Sequence, residues 1–237
     1  MEHLVRKSIA VIPARKNSKR IPGKNIIDFK GRPMIAWTIT AALESGMFDK
    51  VLVSTDSQEI AEISITHGAS VPFLRKNNAD EFSPSSQATL GALMQAEKYW
   101  NTRFDTVVQL MPNCPLRTGA DIHKSMNVFM EKALDFQISV FKYGWINPWW
   151  ALRLDDSGLP QNLFKNAFEK RSQDLENLYC PTGAVWIANR DSLVEAGSFY
   201  GPDYRVCELS WLSAVDIDDY NDLEMAAACF DIKHNGK

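Results

Sequence analysis

Short apolar runs alternate with amphipathic segments through the first half of the chain. The runs SIAVIP (8–13), KVLVST (50–55) and DTVVQLM (105–111) are rich in β-branched residues, which is typical of buried strands. The segments with helical periodicity are MIAWTITAAL (34–43), SQEIAEISITHG (57–68), SPSSQATLGALMQAEKYW (83–100) and residues 121–132. Three alternations of strand and helix predict a parallel sheet with helices on both faces.

Local signals predict where these elements begin and end. Gly46 and Gly68 are the predicted stop signals of the first two helices, since glycine is common just after a helix. Asp56 is expected to cap the start of the second helix. The run ASVPFL (69–74) is predicted to add one more short strand.

The alternation breaks in the second half. Residues 137–185 are aromatic, interrupted by prolines and without a pattern of strand and helix, so they predict an excursion from the sheet rather than an independent domain. The elements predicted after the break are the strands AVWIAN (184–189) and WLSAVDI (211–217) and the helix DYNDLEMAAACF (219–230). Residues 1–136 and 186–237 should therefore form one core of the α/β class.

Composition restricts the partners that we expect. The 237 residues are 45% hydrophobic and 23% charged, which suits a globular chain with one sizeable core. The formal net charge of −3 argues against general binding of nucleic acid, and no apolar stretch approaches the ~20 residues that span a membrane. The cysteines lie far apart in the sequence, which predicts reduced thiols and a cytoplasmic location.

The segment IPARKNSKRIPGKN (12–25) gathers positive charge where the first predicted strand ends. Ligands of open parallel sheets bind at the carboxyl ends of the strands, so these side chains should face a binding crevice. The groups that could donate hydrogen bonds to phosphate oxygens are Arg15, Lys16, Ser18, Lys19, Arg20, Lys24 and Asn25. Neither a Walker loop nor a GxGxxG motif is present. The alternative interpretation is a solvated basic loop.

The second constellation is VDIDD (215–219). In a strand, Asp216 and Asp218 would project to the same side, and two close carboxylates repel unless a cation or a proton lies between them. Such hard oxygen ligands suit Mg²⁺, which commonly binds one or two carboxylates together with substrate phosphates. The alternative is that Asp218 or Asp219 caps the following helix. A basic segment and a carboxylate pair together suggest a nucleoside triphosphate with a metal.

Six stretches of the chain match one known family in the same order, namely IPARKNSKRIPGKN, VSTDSQEIAE, FLR (73–75), PNCPLRTGADI, CPTGAVWI and VDID. The resemblance is to the cytidylyltransferases that make CMP-sialic acids. It implies a Rossmann-like nucleotidyltransferase, a three-layer sandwich with a mostly parallel sheet, and a protruding dimerisation arm at 137–185 that crosses to the second subunit of a homodimer. RSQDLE (171–176) is similar to the branch that activates pseudaminic acid, whereas CPTGAVWI is similar to the acylneuraminate branch.

The resemblance also implies roles for individual residues. Arg15 and Lys24 would neutralise the triphosphate and the departing pyrophosphate, with Ser18 and Asn25 as neighbours that form hydrogen bonds. Asp216 and Asp218 would bind Mg²⁺. The residues implied to surround the cytosine base are Arg75, Pro84 and Ser86. Without the resemblance, Arg75 could be a surface residue in a weak ion pair and Ser86 an ordinary residue near a helix start.

Departures from the family pattern cluster on the sugar side. Met111 stands where the sialic acid branch has glutamine, and Gln109 on the same strand face could compensate. Trp150 stands where some relatives carry lysine. Arg171 lies near an arginine that some members extend towards the sugar in the partner's site, but it could also be a solvated charge. We expect a different, less polar nine-carbon acid as substrate.

The resemblance implies that CTP and a nonulosonic acid of the sialic, legionaminic or pseudaminic type give a CMP-sugar and pyrophosphate. Arg15, Lys24, Asp216 and Asp218 are its implied catalytic residues, and no side chain is identified as the general base. One alternative is a cytidylyltransferase for 3-deoxy-octulosonate, although PLRTG and CPTG fit it poorly. An alternative of another class is a nucleotide-binding sensor or scaffold without turnover.

Overall fold

The computed structural model describes residues 6–76 and 85–235 and centres on a six-stranded sheet. In chain order, the strands of this part of the protein are β1 (Ser8–Ala14), β2 (Asp28–Phe29), β3 (Arg32–Pro33), β4 (Lys50–Thr55), β5 (Thr106–Gln109), β6 (Phe136–Lys142), β7 (Leu152–Leu154), β8 (Pro160–Asn162), β9 (Tyr179–Asn189) and β10 (Arg205–Glu208). The main sheet has the order β10-β6-β9-β5-β1-β4. Strands β2 and β3 form a separate small sheet, and so do β7 and β8.

The main sheet is parallel apart from β9. Strand β1 pairs in parallel with β4 and β5, and β10 with β6, whereas β9 is antiparallel to both of its neighbours. Every residue of β1 and β5 is buried, as expected for strands covered on both faces. The predicted, mostly parallel sheet is confirmed.

Helices cover both faces of the sheet. In the described residues they are α1 (Met34–Glu44), α2 (Gln58–Thr66), α3 (Ser85–Trp100), α4 (Gly119–Glu131), α5 (Arg190–Ala196) and α6 (Tyr220–Asn235). Apolar residues of α1 and α4 pack in one cluster with one face of the sheet, and those of α3 and α5 pack in a second cluster with the other face. The result is the expected three-layer sandwich. None of these described helices combines the length and the apolar composition that crossing a membrane requires.

A third apolar cluster joins the two ends of the chain. Ile21, from the segment after β1, packs with Val215 and Ile217 and with Ala226 of α6. All of these side chains are nearly or completely buried. Hydrophobic packing therefore holds the basic segment against the region of the two predicted metal ligands.

Three predictions of local structure are wrong. Residues 211–214 form turns and residues 215–217 have no regular secondary structure, because Val215 and Ile217 are buried in the third cluster and β10 lies beside β6. Asp56 does not cap α2. The cap is Ser57, whose hydroxyl accepts a hydrogen bond from the backbone N–H of Ile60. The run 69–74 contributes only an isolated bridge between Ser70 and Leu52.

The segment that leaves the sheet is shorter than the predicted one, residues 137–185. Strand β6 includes residues 137–142 and β9 includes residues 179–185, so residues 143–178 lie outside the sheet. We call residues 143–178 the arm. It contains the β7–β8 hairpin and the short 3₁₀ helices Pro148–Trp150, Lys165–Ala167 and Ser172–Asp174.

Candidate active site

Several candidate site residues lie at the edge where the parallel strands end, which is where open α/β sheets have their binding crevice. Arg15 directly follows β1, and Asp56 directly follows β4. Met111 lies two residues beyond β5, and its backbone N–H donates to the carbonyl of Gly183, 3.1 Å away, on the reversed strand β9. The topology thus brings residues distant in the sequence to one edge, where open α/β sheets bind ligands.

The basic loop (residues 15–25) is held by polar contacts at both ends. The amide of Asn25, which is buried, donates to the carbonyl oxygen of Arg15 over 2.9 Å. The backbone N–H of Lys16 donates to Asp56 Oδ1 over 2.7 Å. Gly23, with φ of +66°, permits the turn before Lys24. The side-chain amide of Asn25 therefore shapes the loop from behind, and Ser18 lies half-buried within it.

The basic loop meets the carboxylate segment (residues 215–219) in direct ion pairs. Lys24 Nζ lies 3.0 Å from Asp218 Oδ1 and donates to the carbonyl oxygen of Ile217 over 2.9 Å. Arg20 Nη2 lies 2.8 Å from Asp218 Oδ2. Lys24 and Asp218 are 194 positions apart in the sequence, so only the fold brings them together. The structure therefore brings Lys24 and Arg20 of the basic loop into contact with Asp218.

The two carboxyl groups of this segment differ in their electrostatic surroundings. Desolvation, and next the charge of Asp218, raise the pKa of Asp216 to about 6, although Lys24 opposes this. The side chain still reaches solvent, as expected in the wall of a crevice. At Asp218, desolvation alone would raise the pKa. The hydrogen bonds and positive charges of Lys24 and Arg20 outweigh it, so the pKa of Asp218 is lowered. The charge of Asp218 thus contributes to the raised pKa of Asp216, as expected for two neighbouring carboxylates.

The donor atoms around Asp216 fit a hard divalent cation. Within the described residues no group of three or more His, Cys, Asp or Glu forms a metal site. Asp216 and Asp218 could supply two carboxylate ligands, and Mg²⁺ commonly takes its remaining ligands from water and substrate phosphates. The amide oxygen of Asn113 is buried there, and no described residue forms a hydrogen bond with it. A Cβ at Gly183 would lie 2.6 Å from Met111 Cγ and 3.7 Å from Asp216 Oδ2, so glycine leaves space beside that carboxylate.

An irregularity in the sheet places Gly183 at this position. The register between β6 and β9 shifts between Ile138 and Val140. The hydroxyl of Ser139 stabilises the shift, since it donates to the carbonyl of Thr182 and accepts from the N–H of Val185, both over 2.9 Å. Bulges of this kind re-aim a strand, and they are frequent beside active sites.

On the β4 side, Arg75 borders the crevice. It is buried, and its backbone N–H donates to the carbonyl of Thr55 over 2.7 Å, while its guanidinium Nε has no hydrogen-bond partner in the described structure. Desolvation is the main reason that its pKa is lowered; Asp56 opposes the shift and Arg15 adds to it. Arg75 therefore lies near both Arg15 and Asp56. It is not a residue of an exposed ion pair.

The remaining predicted substrate-binding residues of the core lie in different surroundings. Pro84 lies outside the described residues. The hydroxyl of Ser86, which is buried, accepts from the N–H of Phe199 at 3.5 Å. Gln109 is completely buried, and its amide contacts Thr89 Oγ1 at 2.7 Å and Ser85 Oγ at 3.1 Å, both on α3. Gln109 thus fixes the start of α3 and does not face solvent in this conformation.

Arg171 is not brought to the crevice within one chain. It lies on the arm with its side chain exposed, and its Nε pairs with Asp174 Oδ2 at 2.8 Å. The two groups belong to the same 3₁₀ turn and its cap.

Two residues of the loop after β5 were missed by sequence reasoning. Asn113 contacts Asp216 through its amide, and Arg117 lies fully buried nearby. Arg117 Nη1 donates to the carbonyls of Ala184 at 2.6 Å and Met111 at 3.3 Å, and desolvation lowers the pKa of the guanidinium to about 10. Both residues lie in PNCPLRTGADI. Polar side chains in a proline-rich turn after a buried strand were the available signal.

The fold and the crevice define a nucleotidyltransferase of the Rossmann-like type. A family model described as cytidylyltransferase matches residues 9–135. The chain is 32% identical to pseudaminic acid cytidylyltransferase of Campylobacter jejuni, over 96% of this chain and 98% of that relative. It is 34% identical to CMP-N,N'-diacetyllegionaminic acid synthase of Legionella pneumophila, over 89% and 90% of the two chains. The chain belongs to the cytidylyltransferase family.

A solved structure supports the fold. CMP:2-keto-3-deoxy-manno-octonic acid synthetase complexed with CTP superposes with a TM-score of 0.69 over 96% of this chain and 99% of that one. The sequence identity of that pair is 17%, so the likeness concerns the fold alone.

The raised pKa of Asp216 predicts a gain in stability on neutralisation. Because its pKa in the folded protein, about 6, exceeds the ordinary carboxyl value of 3.8, the folded state disfavours the ionised form. In metal-free buffer Asp216→Asn should raise the thermal unfolding midpoint at about pH 7.5. The increase in the midpoint should be full above pH ~6. It should vanish below pH ~4, where Asp216 of the parent is protonated in both the folded and the unfolded state.

Asp231→Asn provides the matched control for this measurement. Asp231 pairs with Lys30 at 2.7 Å on the surface, so its loss should not raise the midpoint. A midpoint of the D216N protein that is equal to or below that of the parent at about pH 7.5 would contradict the assigned desolvation.

Proposed function

We propose that this protein transfers the cytidylyl group of CTP to a nine-carbon keto-deoxy sugar acid, giving the CMP-sugar and pyrophosphate. The observation that carries the proposal is the meeting of the basic loop and the carboxylate segment, with Lys24 3.0 Å from Asp218. A triphosphate needs cationic donors and a divalent cation at the same place. The names of the relatives supply the class of sugar acid.

The basic loop would bind the phosphates. Arg15 and Lys24 are the main cationic donors, with Ser18 beside them, and Asn25 and Asp56 hold the loop in shape through their contacts with its backbone. An anion in this loop gains charge-assisted hydrogen bonds. The residues proposed to border the cytosine base are Arg75, Pro84 and Ser86.

The reaction is an in-line displacement at the α-phosphorus of CTP. The anomeric oxygen of the sugar acid forms a bond to this phosphorus, the bond to the bridging oxygen of the β-phosphate breaks, and the hydroxyl proton passes to solvent. Lys24 and Arg15 stabilise the negative charge that accumulates on the departing pyrophosphate. Asp216 and Asp218 would hold Mg²⁺, which when bound neutralises charge on the phosphoryl oxygens.

The sugar side is where we expect this chain to differ from sialic acid enzymes. Met111 lies at the edge of the crevice between Gly183 and Gln109, whose amide is 3.8 Å from the methionine sulfur. A thioether cannot supply the hydrogen bonds of a glutamine amide, so a less polar acid fits this position better. The relatives that match over most of their length act on pseudaminic and diacetyllegionaminic acids according to their names, which supports a nine-carbon acid over an eight-carbon one.

We further propose a homodimer formed through the arm. Trp145 is 88% exposed, and Leu154 and Leu159 are each 63% exposed, so the arm presents apolar surface that a second copy could cover. In such a dimer Arg171 would extend towards the partner's crevice. The four cysteines are all free thiols in the structure, and we place the enzyme in the cytoplasm, where thiols stay reduced.

Removing the charge of Lys24 should abolish most turnover. We expect Lys24→Ala to lower kcat/KM for CTP about a hundredfold, the effect of losing ~3 kcal/mol of transition-state stabilisation. Release of pyrophosphate with Mg²⁺ and saturating sugar acid is the measurement. Lys30→Ala is the control, since Lys30 forms an ion pair of similar length with Asp231 on α6. Equal kcat/KM in the K24A protein and the parent would remove the phosphate role from the basic loop.

The substrate is tested with a panel of eight- and nine-carbon keto-deoxy acids. With CTP and Mg²⁺ we expect pyrophosphate release with at least one nine-carbon acid and none in EDTA. Turnover restricted to the eight-carbon 3-deoxy-octulosonate would replace the proposed substrate. CTP binding without turnover on any acid would favour a sensor.

The dimer is tested by sedimentation of the intact chain at micromolar concentration. The parent should be a dimer, and Trp145→Ser combined with Leu154→Ser should give monomers, because both changes remove exposed apolar surface from the arm. Leu43→Ser, on α1 and 46% exposed, is the control and should remain dimeric. A monomeric parent contradicts the proposed dimer.

A further inference from the structure

Asn113 is the main polar link between the loop after β5 and the carboxylate segment. Its side chain is buried, and its amide nitrogen donates both to Asp216 Oδ1 and, over 3.0 Å, to the carbonyl oxygen of Ile217. Its backbone carbonyl accepts from the N–H of Ile217 over 2.9 Å. One residue therefore makes three hydrogen bonds to two consecutive residues that lie more than 100 positions away.

These hydrogen bonds determine which oxygen of Asp216 is available. Oδ1 is engaged by the amide of Asn113, which leaves Oδ2 as the oxygen towards the space beside Gly183. A carboxylate that could rotate freely would spread its charge over several orientations. A carboxylate pinned at one oxygen directs the other to a fixed point, which is what a bound cation with strict geometry requires.

Asn113 also fixes the position of Lys24 relative to this carboxylate. The carbonyl oxygen of Ile217 accepts from Asn113 Nδ2 and, over 2.9 Å, from Lys24 Nζ. Both donors converge on one acceptor, so the place of the ammonium group depends on the place of the amide. Among the described residues, the side-chain oxygen of Asn113 is buried without a hydrogen-bond partner, which is rare in native proteins.

We propose that Asn113 is a positioning residue for the Mg²⁺–CTP complex, which orients Asp216 Oδ2 and fixes Lys24 beside it. The inference rests on the proposed function, because it assumes that Asp216 and Asp218 hold the cation. A purely structural anchor would affect stability alone. A positioning residue affects the part of CTP affinity that depends on Mg²⁺.

The test is calorimetric titration of the intact protein with CTP, once with Mg²⁺ and once with EDTA, and with no sugar acid present. In the parent, Mg²⁺ should increase the affinity for CTP. Asn113→Ala should lose about tenfold of that increase, a loss beyond any that the displaced Lys24 causes in EDTA. Asn113→Ser should show the same loss, because the shorter serine side chain has one donor and cannot reach both Asp216 and Ile217. If the alanine variant does not fold, the serine variant replaces it in the titration.

Gln137 offers a matched control. Like Asn113, it is a buried amide, and its side-chain oxygen has no hydrogen-bond partner among the described residues. Unlike Asn113, it lies on β6, and its Nε2 donates to the carbonyl of Ser125 on α4 over 2.8 Å. Gln137→Ala should lower stability and leave the Mg²⁺-dependent gain intact.

The possible results distinguish a failure of the role proposed for Asn113 from a failure of the proposed metal site. If the Asn113 variants keep the full Mg²⁺-dependent gain, Asn113 is a structural residue and the inference is overturned while the proposed function stands. If the parent itself shows no gain with Mg²⁺, the proposed metal site is wrong, and the role of Asn113 falls with it.

Discussion

The ion pair between Lys24 and Asp218 is the contact on which the site depends. It joins a loop near the start of the chain to a segment near its end, and buried apolar side chains of Ile21, Val215 and Ile217 support it from below. An exposed ion pair contributes little to stability. Here the apolar packing supplies the free energy that brings the two charged groups together, and the ion pair itself contributes little. The charges remain available for a ligand.

The same packing explains why the two carboxylates are electrostatically unequal. Asp218 lies between two cations, whereas Asp216 is partly desolvated and feels the charge of Asp218, so their pKa values move in opposite directions. A divalent cation would reverse the unfavourable shift at Asp216, since an opposite charge favours the ionised form. A bound cation would therefore offset the cost of holding Asp216 ionised.

Much of the fold could be predicted from the sequence, because β1, β4 and β5 are continuous apolar runs that have no other stable position than a covered sheet. The segment 211–217 was predicted as a strand because its apolar residues look the same whether they bury in a sheet or in a cluster under a helix. The basic loop could be located from its charge. Asn113 could not, since its function depends on contacts with residues about a hundred positions away, and spacing contains no information on such contacts.

The ion pairs of Asp218 suggest how nucleotide and cation binding are coupled. In the structure Lys24 and Arg20 serve as counter-ions of Asp218. If they turn to the phosphates of CTP, Asp218 is left without a partner next to Asp216, and two close carboxylates facing a polyanion repel one another. A cation that arrives with the nucleotide replaces the lost partners at the moment they leave. The nucleotide and the cation should therefore stabilise each other's binding, a reciprocal coupling that follows from the exchange of ion-pair partners alone.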